Sequence, residues 1–284
     1  MSNMIKKSEK SSSPVPRALD LMRASEYTVT VTDFLTPGEQ CDIYKELCVP
    51  TLTPAGCFFW GGCRGAERCA AVFLPEWYLP ADAPNHTMPA DRERTEFFSS
   101  YLKEHPEITA EIPITALKIT GSGFKELSHR DYMGSILSLG INRSVLGDIA
   151  VVSESEAIVF VADRIAEYIV TSLTKIGRDG VKVERTSIDP EWTVPRRYAD
   201  VPIVVSSPRL DGVVKAITGQ SRETCAEMVR AGLVELSYSV TDNVSAEVRA
   251  DDIVSVRGYG KYLVGKVTGE TKSGRLKIEC KKYL

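Results

Sequence analysis

The sequence predicts an α+β chain, on three observations. Residues 109–200 read strand, helix, strand, strand, helix, strand. From Ser206 onward, two short helices with single apolar stripes precede a run of short strands. Before residue 109, helix and strand signals mix around a Gly61-Gly62 turn. The expected partition is a disordered tail over residues 1–23, an N-terminal α/β domain over 24–108, a ferredoxin-like domain over 109–200 and a small C-terminal domain over 206–284.

The first 20 residues are rich in Lys and Ser and lack the apolar core of a secretory signal. Phe34 to Pro37 leads into a helix continued by Glu39 to Leu47. Cys57 to Arg64 and Ala70 to Leu74 read as strands, and Pro75 to Pro89 as a loop. Arg64, Glu67 and Arg68 read as a solvated charge cluster.

In the middle, Ile114 to Ile119 is a strand and Gly121-Ser122-Gly123 a turn. Ser128 to Leu139 is a helix opened by a Ser128-x-x-Asp131 capping box. Ile149 to Val152 and Ala157 to Val161 are strands. Asp163 to Ile176 is a helix with Ile165, Ile169, Leu173 and Ile176 inward, and Val181 to Ile188 closes the pattern. RNA-recognition motifs share this topology and stack bases on sheet aromatics, for which Phe160 and Phe124 are the only candidates.

In the C-terminal domain Leu210, Val213, Val214 and Ile217 form one stripe, and Gly219 ends that helix. Ser221 caps the next helix, which buries Cys225, Met228 and Val229 and ends at Gly232. Arg222 and Arg230 are expected to project away from that buried side, so changing either should cost stability within ~0.5 kcal/mol. Val234 to Leu236, Ile253 to Val256, Leu263 to Val267 and Leu276 to Ile278 read as strands. This domain holds 13 Lys and Arg against 10 Asp and Glu, a net +3, on a chain whose total is −3. A basic end on an acidic body fits a nucleic-acid contact confined to that end.

The chain has 284 residues, 43% of them hydrophobic and 26% charged, and no apolar run approaches the ~20 residues of a membrane span. A cytoplasmic protein without a membrane partner is expected. Seven cysteines form no C-x-x-C pair, and reduced, mostly buried thiols are expected rather than a metal site. Ser128, His129 and Asp131 have the composition of a catalytic triad but lie too close in sequence to line up as one. The expectation is no catalysis, no cofactor, and an anion contact at His129 and Arg130 beside a helix N-terminus.

The order Arg209-Leu210-Asp211, Ser221-Arg222, Asp251-Asp252 and Arg257-Gly258-Tyr259-Gly260-Lys261 resembles the RNA-binding module named after ribosomal protein S-four. Asp251 stands where that module usually has Gly, and Ser237-Tyr238 where it often has Asn-Gly. The stretches Gly121-Ser122, Phe124, Leu127 to Asp131 and Gly134, then Leu139-Gly140-Ile141, Gly147-Asp148-Ile149 and Ile176-Gly177-Arg178, extend the likeness. With Gly61-Gly62 they resemble the YlmH family, also called the ribosome-associated quality-control protein P family, over roughly residues 30–284. A photosystem II S-four domain protein is a relative of that family. Cys63 stands where the family usually has Tyr.

The resemblance implies binding to ribosomal RNA of an obstructed large subunit and to its peptidyl-tRNA, while a tailing factor adds alanine to the nascent chain. It implies RNA contacts at Arg209, Ser221, Arg222, Arg230 and Lys261, to which Lys215 and Lys266 are added as neighbouring cations. The alternatives are a ribosomal RNA pseudouridine synthase or methyltransferase, or a cell-division regulator. The Gly258 to Gly265 stretch lies between strands, which is not the strand-to-helix setting a nucleotide-binding loop needs.

Overall fold

The computed structural model describes residues 13–47, 56–79 and 92–284 and divides into two compact units, Met1–Val194 and Pro195–Leu284. The first opens with α1 (Val15–Ala24), β1 (Thr30–Val31), α2 (Pro37–Leu47), β2 (Cys57–Trp60) and β3 (Ala70–Phe73). Then come α3 (Arg92–Glu104), α4 (Pro106–Glu111), β4 (Ile114–Gly121), α5 (His129–Leu137), β5 (Leu146–Ser153), β6 (Glu156–Ala162), α6 (Asp163–Ser172), β7 (Lys175–Ile176) and β8 (Asp179–Thr186).

The helix α1 corrects the expected tail, whose residues 1–12 lie outside the described residues, as does Cys48. The Pro14-Val-Pro16 start presets helical φ, and Ala18 packs fully buried against the Ile43 and Leu47 side of α2. Helix α6 ends at Ser172, although apolar spacing continues to Ile176. Leu173 is extended, and Lys175–Ile176 instead pair with β8 as a short strand. The spacing of Leu173 and Ile176 fits a helix and a turn into a strand equally, because both bury side chains on one core.

The five-stranded sheet runs β5-β6-β4-β8-β7, all antiparallel, which is the expected ferredoxin-like order with β7 added. Helices α5 and α6 cover one face, where Tyr132, Ile136, Ala166 and Ile169 meet Leu117, Ile119, Val159 and Val161. The other face is covered as well: Phe34, Cys63 and Trp192 pack on Ala116, Ile158 and Phe160. Gly62, at φ 95°, makes the cover possible, because a Cβ there would lie 2.3 Å from Phe160 Cδ1. A cavity of about 410 Å³ remains at one side, lined by Trp60, Gly62, Phe160, Arg185 and Ser187 among others.

The charges at residues 64–68 hold that cover in place and are not a solvated cluster. The Arg68 guanidinium donates to the carbonyls of Leu146 (2.9 Å), Arg143 (2.9 Å) and Phe34 (3.3 Å). Asp148 accepts from the backbone N–H of Glu67 (2.7 Å) and Arg68 (3.0 Å), and Arg64 pairs with Glu96 at 2.6 Å.

The second unit contains β9 (Tyr198–Asp200), β10 (Ile203–Val205), α7 (Leu210–Thr218), α8 (Arg222–Arg230), β11 (Val234–Leu236), β12 (Ser239–Val240), β13 (Ile253–Val256), β14 (Gly260–Glu270) and β15 (Leu276–Tyr283). It starts at Pro195, not at 206, because β9 and β10 both pair with β15 at one edge. Pro202 separates the two short strands, where a missing N–H is tolerated on a sheet edge. The sheet runs β10-β15-β14-β13-β11-β12. Val213, Val214, Cys225 and Val229 from the helices bury against Val254, Val256, Tyr262, Val264, Ile278 and Cys280 from one sheet face. Gly219 adopts φ 72° at the end of α7 and Ser221 Oγ accepts from Thr224 N at the start of α8, both as expected. The six described cysteines, Cys41, Cys57, Cys63, Cys69, Cys225 and Cys280, are buried.

Candidate nucleic-acid interface

Asp211 organises the basic end of the second unit. It lies in the first turn of α7 with its side chain 4% exposed. Oδ2 accepts from Arg222 Nε at 2.7 Å, and Oδ1 accepts from Arg209 Nε at 3.2 Å and from Gly212 N at 2.9 Å. Arg209 precedes α7 and Arg222 opens α8, so one carboxylate ties the starts of both helices. Burial pushes the Asp211 carboxyl up, but the bonds from Arg222 and Arg209 outweigh it and hold the group below its usual value. Asp211 in turn raises Arg222.

Each arginine engages Asp211 through Nε and keeps much of its side chain in solvent, 44% for Arg209 and 61% for Arg222. A guanidinium fixed this way can turn its outer N–H groups to phosphate without first losing its rotamer freedom. The expected neutrality of substitutions at Arg222 is therefore corrected. Glutamate there would set a second carboxylate against a buried one. Arg230, exposed at the end of α8, remains outside this pairing.

The structure brings Arg209, Ser221 and Arg222 together around the two helix starts. Lys215 lies exposed on α7. Lys261 does not join them. Its neighbours Tyr262 and Val264 point into the core under the helices, so alternation turns Lys261 to the opposite sheet face. Lys266 is exposed where the β14–β15 register shifts between Val264 and Val267. Sequence reasoning assigned no role to Asp211. Its place one turn ahead of Val214, among residues that all bury, was the available signal.

In the first unit, His129 and Arg130 are exposed at the N-terminus of α5. The capping box is complete. Ser128 Oγ accepts from Asp131 N at 3.3 Å and donates to Asp131 Oδ2 at 2.6 Å, and Ser128 N donates to the same oxygen at 2.9 Å. Ser128 thus bonds the carboxylate and not the imidazole. Desolvation of the ring by its surroundings, although the residue as a whole is exposed, keeps the His129 imidazole below its ordinary value, with Arg143 adding to it and Asp148 pulling the other way. A neutral imidazole beside Arg130 offers one N–H to an anion. Of the two aromatic candidates, Phe160 is 1% exposed under the cover and Phe124 is 79% exposed in the β4–α5 loop. The sheet stacking known from RNA-recognition motifs is therefore replaced here by packing.

Comparison with known proteins gives three findings. A family described as "Putative RNA-binding domain in YlmH" matches residues 109–190. Ribosome-associated protein quality control protein P2 of Bacillus subtilis (strain 168) is 28% identical over 269 residues, covering 93% of this chain and 92% of that protein. Among solved structures, cell division protein ylmH from Streptococcus pneumoniae covers 63% of this chain and 94% of that one, with a TM-score of 0.40 and 20% identity.

Proposed function

We propose that the chain is a member of the YlmH family, that it binds RNA of the large ribosomal subunit and that it steadies peptidyl-tRNA on obstructed subunits. A partner factor then adds alanine to the nascent chain, and the protein itself contributes binding without chemistry or cofactor. Its place is the cytoplasm.

The observation that carries this reading is the arginine pair held by Asp211. Two guanidiniums fixed at adjacent helix starts on a basic unit suit a phosphate backbone. Ser221, Lys215 and Arg230 extend the contact along α7 and α8. His129 and Arg130, with the exposed ring of Phe124 in the preceding loop, supply a second contact in the first unit. The name of the Bacillus subtilis relative supports ribosome association. The use of Ser128 and Asp131 in a helix cap supports a role without catalysis.

Salt titration tests the reading. With about four phosphate contacts, log affinity for ribosomal RNA should fall against log salt with a slope of about −3 to −4. Affinity that stays flat from low to physiological salt would remove the phosphate contacts.

A further inference from the structure

We infer that the sheet face turned away from α7 and α8 binds an unpaired nucleotide of RNA, with the base on Tyr238 and Tyr283 and the phosphate on Lys261 and Arg196. This rests on the reading that the protein contacts RNA and adds a second, base-reading surface to it.

Strand register places the groups. Ser255 pairs with Lys261, Leu263 with Lys281, and Tyr283 with Tyr198. Lys261, Tyr283 and Tyr198 therefore share one row on the outward face. Lys261 Nζ lies 4.6 Å from the ring centre of Tyr238 and 4.9 Å from that of Tyr283. Tyr198 meets Tyr283 edge-on at 4.9 Å, and Arg196 Cζ lies 5.9 Å from the Tyr283 ring. Three tyrosines and two cations are thus gathered on the sheet face opposite the one that α7 and α8 cover.

The hairpin between β11 and β12 adds an independent observation. Its loop is Ser237-Tyr238, with φ of 45° and 66°. Positive φ at both central residues is the type I′ turn that Asn-Gly fills without strain. A tyrosine there is strained, because its Cβ crowds the backbone carbonyl in the left-handed region. The bond from Ser237 Oγ to Asp252 Oδ1 at 2.6 Å helps hold the turn. The strained residue projects its ring over Lys261, where a glycine would leave nothing.

The chemistry selects a nucleotide. Lys261 reaches both rings, so their centres lie no farther apart than its two contact distances together. A base needs about 7 Å between two stacking faces, at ordinary van der Waals contact on each side. On entry the base takes the place of the ammonium against the rings, and the displaced ammonium meets the phosphate. An acidic peptide would use the cations but leave the rings without a role.

The test uses the full chain and fluorescence anisotropy with a labelled short oligouridylate, and with an abasic oligomer of equal length. The wild type should prefer the base-bearing oligomer by roughly tenfold for each stacked base. Tyr238→Gly and Tyr283→Leu should erase that preference. The unfolding midpoint of Tyr238→Gly should not fall, since glycine relieves the turn. Arg222→Gln should retain the preference, so a failure of large-subunit binding is read separately. Equal wild-type affinity for both oligomers overturns the inference. So does a Tyr238→Gly variant that binds like wild type, or displacement of the oligomer more readily by polyglutamate than by unlabelled oligouridylate.

Discussion

Arg209→Gln, Asp211→Asn and Arg222→Gln, combined in one chain, should release the protein from large-subunit RNA at physiological salt while the second unit stays folded. A hydrogen bond to a charged group contributes about 1.5–3 kcal/mol, so losing two arginine–phosphate contacts should weaken binding roughly 100-fold or more. Removing the arginines alone would strand Asp211, whose side chain is 4% exposed, at a cost of about 3–5 kcal/mol for an unpaired buried charge. Asparagine in its place keeps the bond from Gly212 N and removes the charge. Affinity for isolated large-subunit RNA, measured beside the unfolding midpoint, checks both halves. Wild-type affinity in the triple variant would move the RNA contact away from the helix starts. Arg222→Glu is a poorer probe, because it confounds lost binding with like-charge repulsion against Asp211.

Phe160→Ala should destabilise the first unit by roughly 3–5 kcal/mol and leave the RNA affinity of the folded protein unchanged. Phe160 is 1% exposed, meets the Trp192 ring at a tilt with centres 6.3 Å apart and would collide with any Cβ on residue 62. It fills the place where related folds stack bases, and its work here is packing. Phe160→Leu, costing less volume, keeps the comparison open if the alanine variant does not fold. Denaturant unfolding and RNA titration on the same preparation give the two readings. A variant of unchanged stability that loses RNA affinity would make the sheet a binding surface.

Local signals carried much of the fold. The stripes of α7 and α8, the Gly219 terminus and the Ser221 cap are set within a few residues, so they could be read directly. The replacement of glycine by Asp251 was legible too, and Asp251 adopts φ 71° as the turn demands. What depended on distant partners was not legible. The strands β9 and β10 are three residues each and exist because β15, some 75 residues later, offers them an edge. Helix α1 is held by burial of Ala18 against α2, which the polar residues before it conceal. Phe160 reads as a stacking candidate until Gly62 and Cys63, nearly 100 residues earlier, are seen to cover it.

The candidate site divides the same way. That Arg209 and Arg222 are cationic and near helix starts is plain from the sequence. That one buried carboxylate joins them is a tertiary fact. Lys261 sits in the same motif region as the other cations, yet strand alternation sends it to the far sheet face.

Ribosome binding is measured by sedimentation through a sucrose gradient, using the purified protein with large subunits that carry peptidyl-tRNA and with empty ones. The protein should travel with the large subunit at physiological salt, more of it when peptidyl-tRNA is present, and the triple variant should stay at the top. A wild-type protein that stays at the top of the gradient, or follows small and large subunits equally, would contradict this expectation.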